Sequence, residues 1–199
     1  MPKLLKSRMA AVALWGVTLV LAGVAAYFVG WGAEAKYEDL MTDRTPPPEL
    51  ALEEQGRYDE AIQTVLDRTR DGRFEAGADS EVALIYLRRA KSDPANREKW
   101  AQRAASYLDK AATLSPKDPF ILESAMHGFN SVGDYSENGC PCYEKAVGFG
   151  EAALALLQGS TVTIQGHGRS YPTRPIKEGI EQPLERIRGK VEAWCKKRP

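Results

Sequence analysis

Apolar and polar positions divide the chain into two unlike parts. From residue 9 to residue 33 there is no charged side chain, and the run MAAVALWGVTLVLAGVAAYFVGWGA lacks the polar stripe of a soluble helix. As a helix it would reach about 37 Å at ~1.5 Å per residue, enough to cross a bilayer core of ~30 Å. Trp15, Tyr27, Phe28 and Trp31 cluster toward its ends, where aromatic rings suit the membrane interface. Lys3, Lys6 and Arg8 stand before it, and Glu34, Lys36, Glu38 and Asp39 after it. That bias keeps residues 1–8 in the cytoplasm and places everything past the anchor on the other side. Ala33-Glu-Ala35 also fits a signal-peptidase site, but the apolar cores of cleaved signals run to about 7–15 residues and this one is far longer. The run is not amphipathic, which argues against a mitochondrial presequence. A retained transmembrane anchor over residues 9–33 is the expectation.

Beyond it, residues 34–48 form a spacer ending in Thr45-Pro-Pro-Pro48, where three prolines cannot continue a helix and favour extended geometry. Helical apolar spacing then alternates with Gly/Pro punctuation and predicts helices near 49–55, 58–70, 79–91, 95–114, 118–132, 142–157 and 183–196. Ser92-Asp-Pro94 and Ser115-Pro-Lys-Asp-Pro119 read as turns that open the next helix. Only Thr161-Val-Thr-Ile164 alternates as a strand would. Residues 158–182 carry Gly159, Gly166, Gly168, Pro172 and Pro175 and read as one long irregular loop. The last helix, 183–199, shows Leu184, Ile187, Val191 and Trp194 on one face, as a helix closing an open array requires. The expected class is all-α: helix pairs joined by short turns.

A recurring pattern supports that class. Gly56-Arg-Tyr58-Asp-Glu-Ala61 is echoed by Gly133-Asp-Tyr135-Ser-Glu, and Ala104, Leu108, Ala111 and Pro116 lie at steps of 4, 3 and 5. Leu122, Ala125, Met126, Phe129, Gly133 and Tyr135 follow, and Tyr143-Glu-Lys-Ala146 closes the series one residue out of register. These residues resemble the tetratricopeptide repeat family, over about residues 49–157. The resemblance implies a solenoid of stacked αα-hairpins: small residues let the two helices approach, large ones fill the gap between hairpins, and neighbours must stack because no hairpin buries its face alone. The chain departs from the pattern in three places. The first helix is short, Arg68 stands where a small residue belongs, and Ala61 to Ala104 spans 43 positions, which puts about nine extra residues in the Gly-rich stretch around 71–77. In the family register Phe120, Glu123, His127 and Asn130 line the concave groove in which relatives hold peptides. Glu123 and His127, four apart on a helix, can also meet as a plain surface pair.

Charge changes the picture little. The formal net charge is zero, which argues against a nucleic-acid partner. Residues 34–81 hold 14 acidic and 6 basic side chains, residues 169–199 hold 9 basic and 4 acidic. Solvated helix faces account for this, and an acidic partner or lipid headgroups at the basic end would also. Arg88, Arg89 and Lys91 cluster late in a helix, where the macrodipole favours cations.

Candidate chemistry is sparse. Outside the cytoplasm Cys195 can bridge to Cys140 or to Cys142, since a bond between Cys140 and Cys142 would close a strained ring; three free buried thiols are the competing reading. Cys140-Pro-Cys142 lacks the two-residue gap of a zinc pair, no second Cys/His pair follows, and the haem signature is missing. His167 sits in Gly166-His-Gly168-Arg169-Ser170 without a nucleophile elbow or phosphate-loop context. No catalytic residue, metal or cofactor is implied. The expected function is therefore a non-enzymatic, membrane-tethered interaction scaffold, an accessory subunit or assembly factor of a membrane complex. It would be a single-pass inner-membrane protein with its N-terminus in and its helical domain periplasmic or otherwise extracytoplasmic. In the anchor, Gly16, Gly23 and Gly30 at heptad spacing, with Gly32, offer small surfaces to other transmembrane helices. A periplasmic chaperone, or a thiol-redox protein using Cys140, Cys142 and Cys195, is the alternative.

Overall fold

The computed structural model describes residues 47–69, 74–163 and 170–196. The apolar run at 9–33 with Trp15, Tyr27, Phe28 and Trp31, the spacer up to residue 46 and His167 lie outside the described residues. Among the described residues no helix is long and apolar enough to cross a membrane.

Those residues form an all-α domain of seven helices: α1 (Pro48–Glu54), α2 (Tyr58–Arg68), α3 (Glu75–Ser92), α4 (Arg97–Leu114), α5 (Pro119–Tyr135), α6 (Cys140–Leu156) and α7 (Thr173–Lys190). A 3-10 turn (Pro94–Asn96) precedes α4, and a π turn (Val191–Cys195) follows α7. Local chemistry sets the boundaries. At the start of α5 the Asp118 carboxylate accepts from the N–H groups of Phe120 (2.9 Å) and Ile121 (3.4 Å), and Pro119 takes the first position, where its missing N–H costs nothing.

Side-chain contacts show consecutive helices running antiparallel. Glu49, opening α1, meets Arg68, closing α2; Tyr58, opening α2, meets Ser92, closing α3; Lys110, late in α4, meets Glu75 and Asp79, early in α3. Tyr143 in the first turn of α6 donates to Asp134 in the last turn of α5. Two further contacts join equivalent helices of successive hairpins at almost one spacing: Arg88 of α3 to Glu53 of α1, 35 residues apart, and Lys145 of α6 to Asp109 of α4, 36 apart.

The core follows from which residues are small. Ala104, Leu108 and Ala111 of α4 and Leu122, Ala125, Met126 and Phe129 of α5 are all buried. Leu108 rests on Gly128, where a Cβ would stand 2.5 Å from its Cδ1. The Tyr143 ring rests on Gly133, and Gly150 of α6 admits Met126 and Leu184. A second cluster (Ala61, Ile62, Val65, Ala78, Val82, Ile85) joins α2 to α3, and Tyr86 and Tyr107, their rings 5.8 Å apart, pack against both clusters.

Two sequence expectations are corrected. Glu75, Ala76 and Gly77 are helical, so the extra length before Ala104 extends α3 to 18 residues rather than filling a Gly-rich loop. Arg68, at the position where the resemblance calls for a small residue, carries its guanidinium to Glu49 (2.8 Å) and Glu81 (3.0 Å). The irregular segment 158–182 is instead a short hairpin followed by helix: β1 (Thr161–Thr163) pairs antiparallel with β2 (Ser170–Pro172), and α7 begins at Thr173, ten residues before the expected start. Pro175 falls in the first turn, where no intrahelical N–H bond is lost. Pro183 lies inside the helix, and burial of Ile176, Ile180, Leu184 and Ile187 along one face outweighs its cost. Thr173 fastens the start of α7 by bonds to the carbonyls of Gly159 (2.6 Å) and Ser160 (3.0 Å).

Cys195 is joined to Cys140, with Cα atoms 5.5 Å apart, and Cys142 is free. The bridge ties the end of the chain to the first residue of α6. Closing a loop across a separation of 55 residues stabilises by about 4 kcal/mol in a chain-entropy treatment.

Two outcomes are expected from unfolding the full chain in detergent. Gly133→Ala drives a methyl into the Tyr143 ring and destabilises by about 1–3 kcal/mol, whereas Gly148→Ala, with nothing within 4 Å, stabilises by up to about 1 kcal/mol. Cys195→Ser costs about 2–4 kcal/mol, while Cys142→Ser leaves the bridge intact, read by mass after alkylation without reductant.

Candidate partner-binding surface

Phe120, Glu123, His127 and Asn130 are spaced by 3, 4 and 3 residues, which puts them on one face of α5. That face is bordered by α7, running parallel to α5. Glu123 Oε1 would stand 3.0 Å from a Cβ on Gly179, so the absence of a side chain there lets the helices close on the carboxylate. Further along, Arg186 acts on His127, and Lys190 donates to Asn130 (2.8 Å) and Asp134 (2.6 Å). The closing helix is thus one wall of the face, not only a lid on the end of the array.

The four residues consequently differ. Phe120 is 37% exposed, and His127 is exposed. Asn130 is committed to Lys190. Glu123 is half-buried, and among the described residues no hydrogen bond or ion pair joins it to His127. Burial alone pushes the Glu123 carboxyl above its ordinary range, and burial first, then Arg186, hold His127 below its own. Each group is disfavoured in its charged form.

Burial pushes the Cys142 thiol upward, away from the reactive thiolate. No group of three or more His, Cys, Asp or Glu able to hold a metal occurs among the described residues. The basic run late in α3 is absorbed structurally. Arg88 forks onto both oxygens of buried Glu53, and Arg89 lies 3.8 Å above the Trp100 ring while donating to Asp59 (2.8 Å). Lys91 is exposed.

Sequence reasoning missed a second feature at the C-terminal end. Trp194 shares the 3–4 spacing of Leu184, Ile187 and Val191, yet it is 55% exposed while Leu184 and Ile187 are buried. The π turn is the reason: Lys196 N–H reaches back five residues to Val191, and the wider turn carries Trp194 off the apolar stripe. The indole stands edge-on to Tyr143, with centroids 6.0 Å apart, at a cavity of about 230 Å³ lined by Asp134, Ser136, Glu137, Cys140, Tyr143 and Trp194. Nothing in the spacing signals it, because it depends on the π turn and on the partner of Cys195.

The raised Glu123 value carries a testable consequence. The folded chain holds that proton more tightly than the unfolded chain, so the associated stability is complete below about 4.5 and is lost as pH rises through the folded value. His127 has the opposite sign of shift: its depressed folded value makes acidification below 6.5 costly. Glu123→Gln is expected to raise Tm at neutral pH, with the gain vanishing toward pH 4, and a pH-independent effect would contradict the burial argument.

No protein-family model, curated protein or solved structure matches this chain, so its geometry is the ground on which a function is assigned.

Proposed function

We propose that the chain is a membrane-tethered interaction scaffold: an N-terminal anchor carrying a tetratricopeptide-like solenoid that binds another polypeptide and catalyses nothing. One observation carries the reading. Successive antiparallel hairpins repeat contacts at 35 and 36 residues, as between Glu53 and Arg88 and between Asp109 and Lys145. Such an array spends its small residues on packing and offers one continuous face of side chains to an extended ligand.

On this reading Phe120 supplies apolar area on that face, and Glu123 and His127 supply selectivity. Glu123 is half-buried, so a partner that satisfies it gains more than it would at a fully wet position, and exposed His127 is open to the same partner. The uncharged run at 9–33 and the lysines and arginine before it support a single-pass tether in an inner membrane with the helical domain outside the cytoplasm. The Cys140–Cys195 bridge fits that compartment. The partner is then a protein of a membrane complex, held near by the anchor at high effective concentration. No cofactor is part of the proposal.

A photo-crosslinking residue at position 120 or 127 of the full chain should trap one defined protein in native membranes, and the same probe at exposed Gln102 of α4 should not. The chain should stay in the membrane pellet through alkaline carbonate with residues 1–35 still attached. A mature chain starting near Lys36 and found in the soluble fraction defeats the tether. Equal trapping from 120 and 102 defeats the assigned face.

A further inference from the structure

The cavity at the C-terminal end has an internal template elsewhere in the same molecule. Near the end of α3 the chain holds one of its own guanidinium groups by two elements: the Trp100 ring, 3.8 Å beneath Arg89, and a carboxylate, Asp59, 2.8 Å from the guanidinium. At the other end the same elements recur with no arginine of the described residues between them. Trp194 is 55% exposed, no cation of the described residues lies over its ring, and Asp134 and Glu137 share its cavity.

Charge points the same way. Lys190 is the cation already present: it pairs with Asp134 and sits 5.0 Å over the Tyr143 ring. Asp134 is also the acceptor for the Tyr143 hydroxyl. Asp134 and Glu137 together carry two negative charges against one positive. Glu137 is exposed and makes no hydrogen bond or ion pair among the described residues. A space of about 230 Å³ between an indole, a phenol and this carboxylate is of the size and sign for the end of one basic side chain. The disulfide ties Cys195, next to Trp194 in the chain, to Cys140 in the cavity wall, and Glu137 comes from the turn between α5 and α6.

We propose that this cavity binds the guanidinium of an arginine presented by the partner polypeptide, stacked on Trp194 and hydrogen-bonded to Glu137. The proposal rests on the reading of the chain as a protein-binding scaffold, and it gives that partner a chemical requirement. A flat guanidinium fits both elements at once: its face lies on the indole, and its N–H groups serve the carboxylate. A quaternary ammonium headgroup could use the ring but has no N–H to donate.

The test uses the full chain in detergent micelles with 5-fluorotryptophan at positions 15, 31, 100 and 194, the resonance of Trp194 being assigned by its loss in Trp194→Phe. N-acetyl-arginine amide should shift that resonance saturably in the millimolar range and leave that of Trp100 in place. Glu137→Gln should weaken the effect about tenfold. N-acetyl-citrulline amide, alike in shape but uncharged, should have no effect. A Trp194 signal that fails to move, that moves equally with citrulline, or that responds as well to choline overturns the proposal, the last outcome indicating a lipid headgroup instead. None of these readouts needs the natural partner, so an absent crosslink from positions 120 and 127 and a silent Trp194 remain separate failures.

Discussion

Leu108 of α4 reaches the backbone of α5 because position 128 has no side chain, and the same device recurs where the Tyr143 ring lies on Gly133 and where Met126 and Leu184 meet Gly150. These contacts set the distance between helices, and that distance decides how much apolar surface each hairpin hides. A hairpin of two amphipathic helices leaves one stripe wet, and only a neighbour at close range covers it. Ala101, Ala104, Ala125, Ala146 and Ala153, all fully buried, belong to the same scheme. Bulk at any of these positions would separate the layers on which the buried Leu, Ile and Phe side chains depend.

The two ends of the array are closed by different physics. At the N-terminal end, α1 is only seven residues long and buries two carboxylates, Glu49 and Glu53, against Arg68 and Arg88. Burial works against the Glu49 charge, yet its backbone hydrogen bond, Glu81 and Arg68 hold its carboxyl below the ordinary range, while burial and Glu49 push Glu81 upward. Glu49 Oε2 and the Ser80 hydroxyl are buried without a hydrogen-bond partner among the described residues. Such contacts fix register more than they add stability, because desolvation consumes most of the Coulombic gain. At the C-terminal end, α7 contributes four buried aliphatic side chains, and the π turn after it contributes a covalent bridge. The firmer closure lies at the C-terminal end of the array.

Most of the helical content was legible because apolar spacing, proline and Asp caps agree with one another. The Asp118-Pro119 start of α5 and the buried set Leu122, Ala125, Met126 and Phe129 are cases where local and tertiary preferences coincide. The start of α7 was hidden because Gly179, Pro175 and Pro183 all read locally as breaks. A long-range requirement, four aliphatic side chains needing cover, overrides them. The groove residues were legible as a face of α5, but the sequence could not show that α7 borders it, since that contact joins positions about 56 to 60 apart, as in Glu123 with Gly179 and Asn130 with Lys190. Cys140 and Cys142 were indistinguishable as partners of Cys195 until α6 gave each its direction. The outward turn of Trp194 was invisible for a related reason: one π turn breaks the periodicity from which a buried position would be read.

Helix α7 therefore has more than one role. It covers the apolar stripe left by α6, it narrows the face that carries Glu123 and His127, and its π turn sets Trp194 beside Tyr143. A cap needed only for solubility could be any amphipathic helix with a polar outer side. This one is pinned at both ends, by Thr173 on the carbonyls of Gly159 and Ser160 and by Cys195 on Cys140, so it has little freedom to slide along α5 and α6. A helix fixed in that way keeps two separate features, the α5 face and the Trp194 cavity, at a constant separation. Constant separation is what a surface needs if two points of one partner are to be engaged together, because ordering entropy is then met on folding rather than on binding.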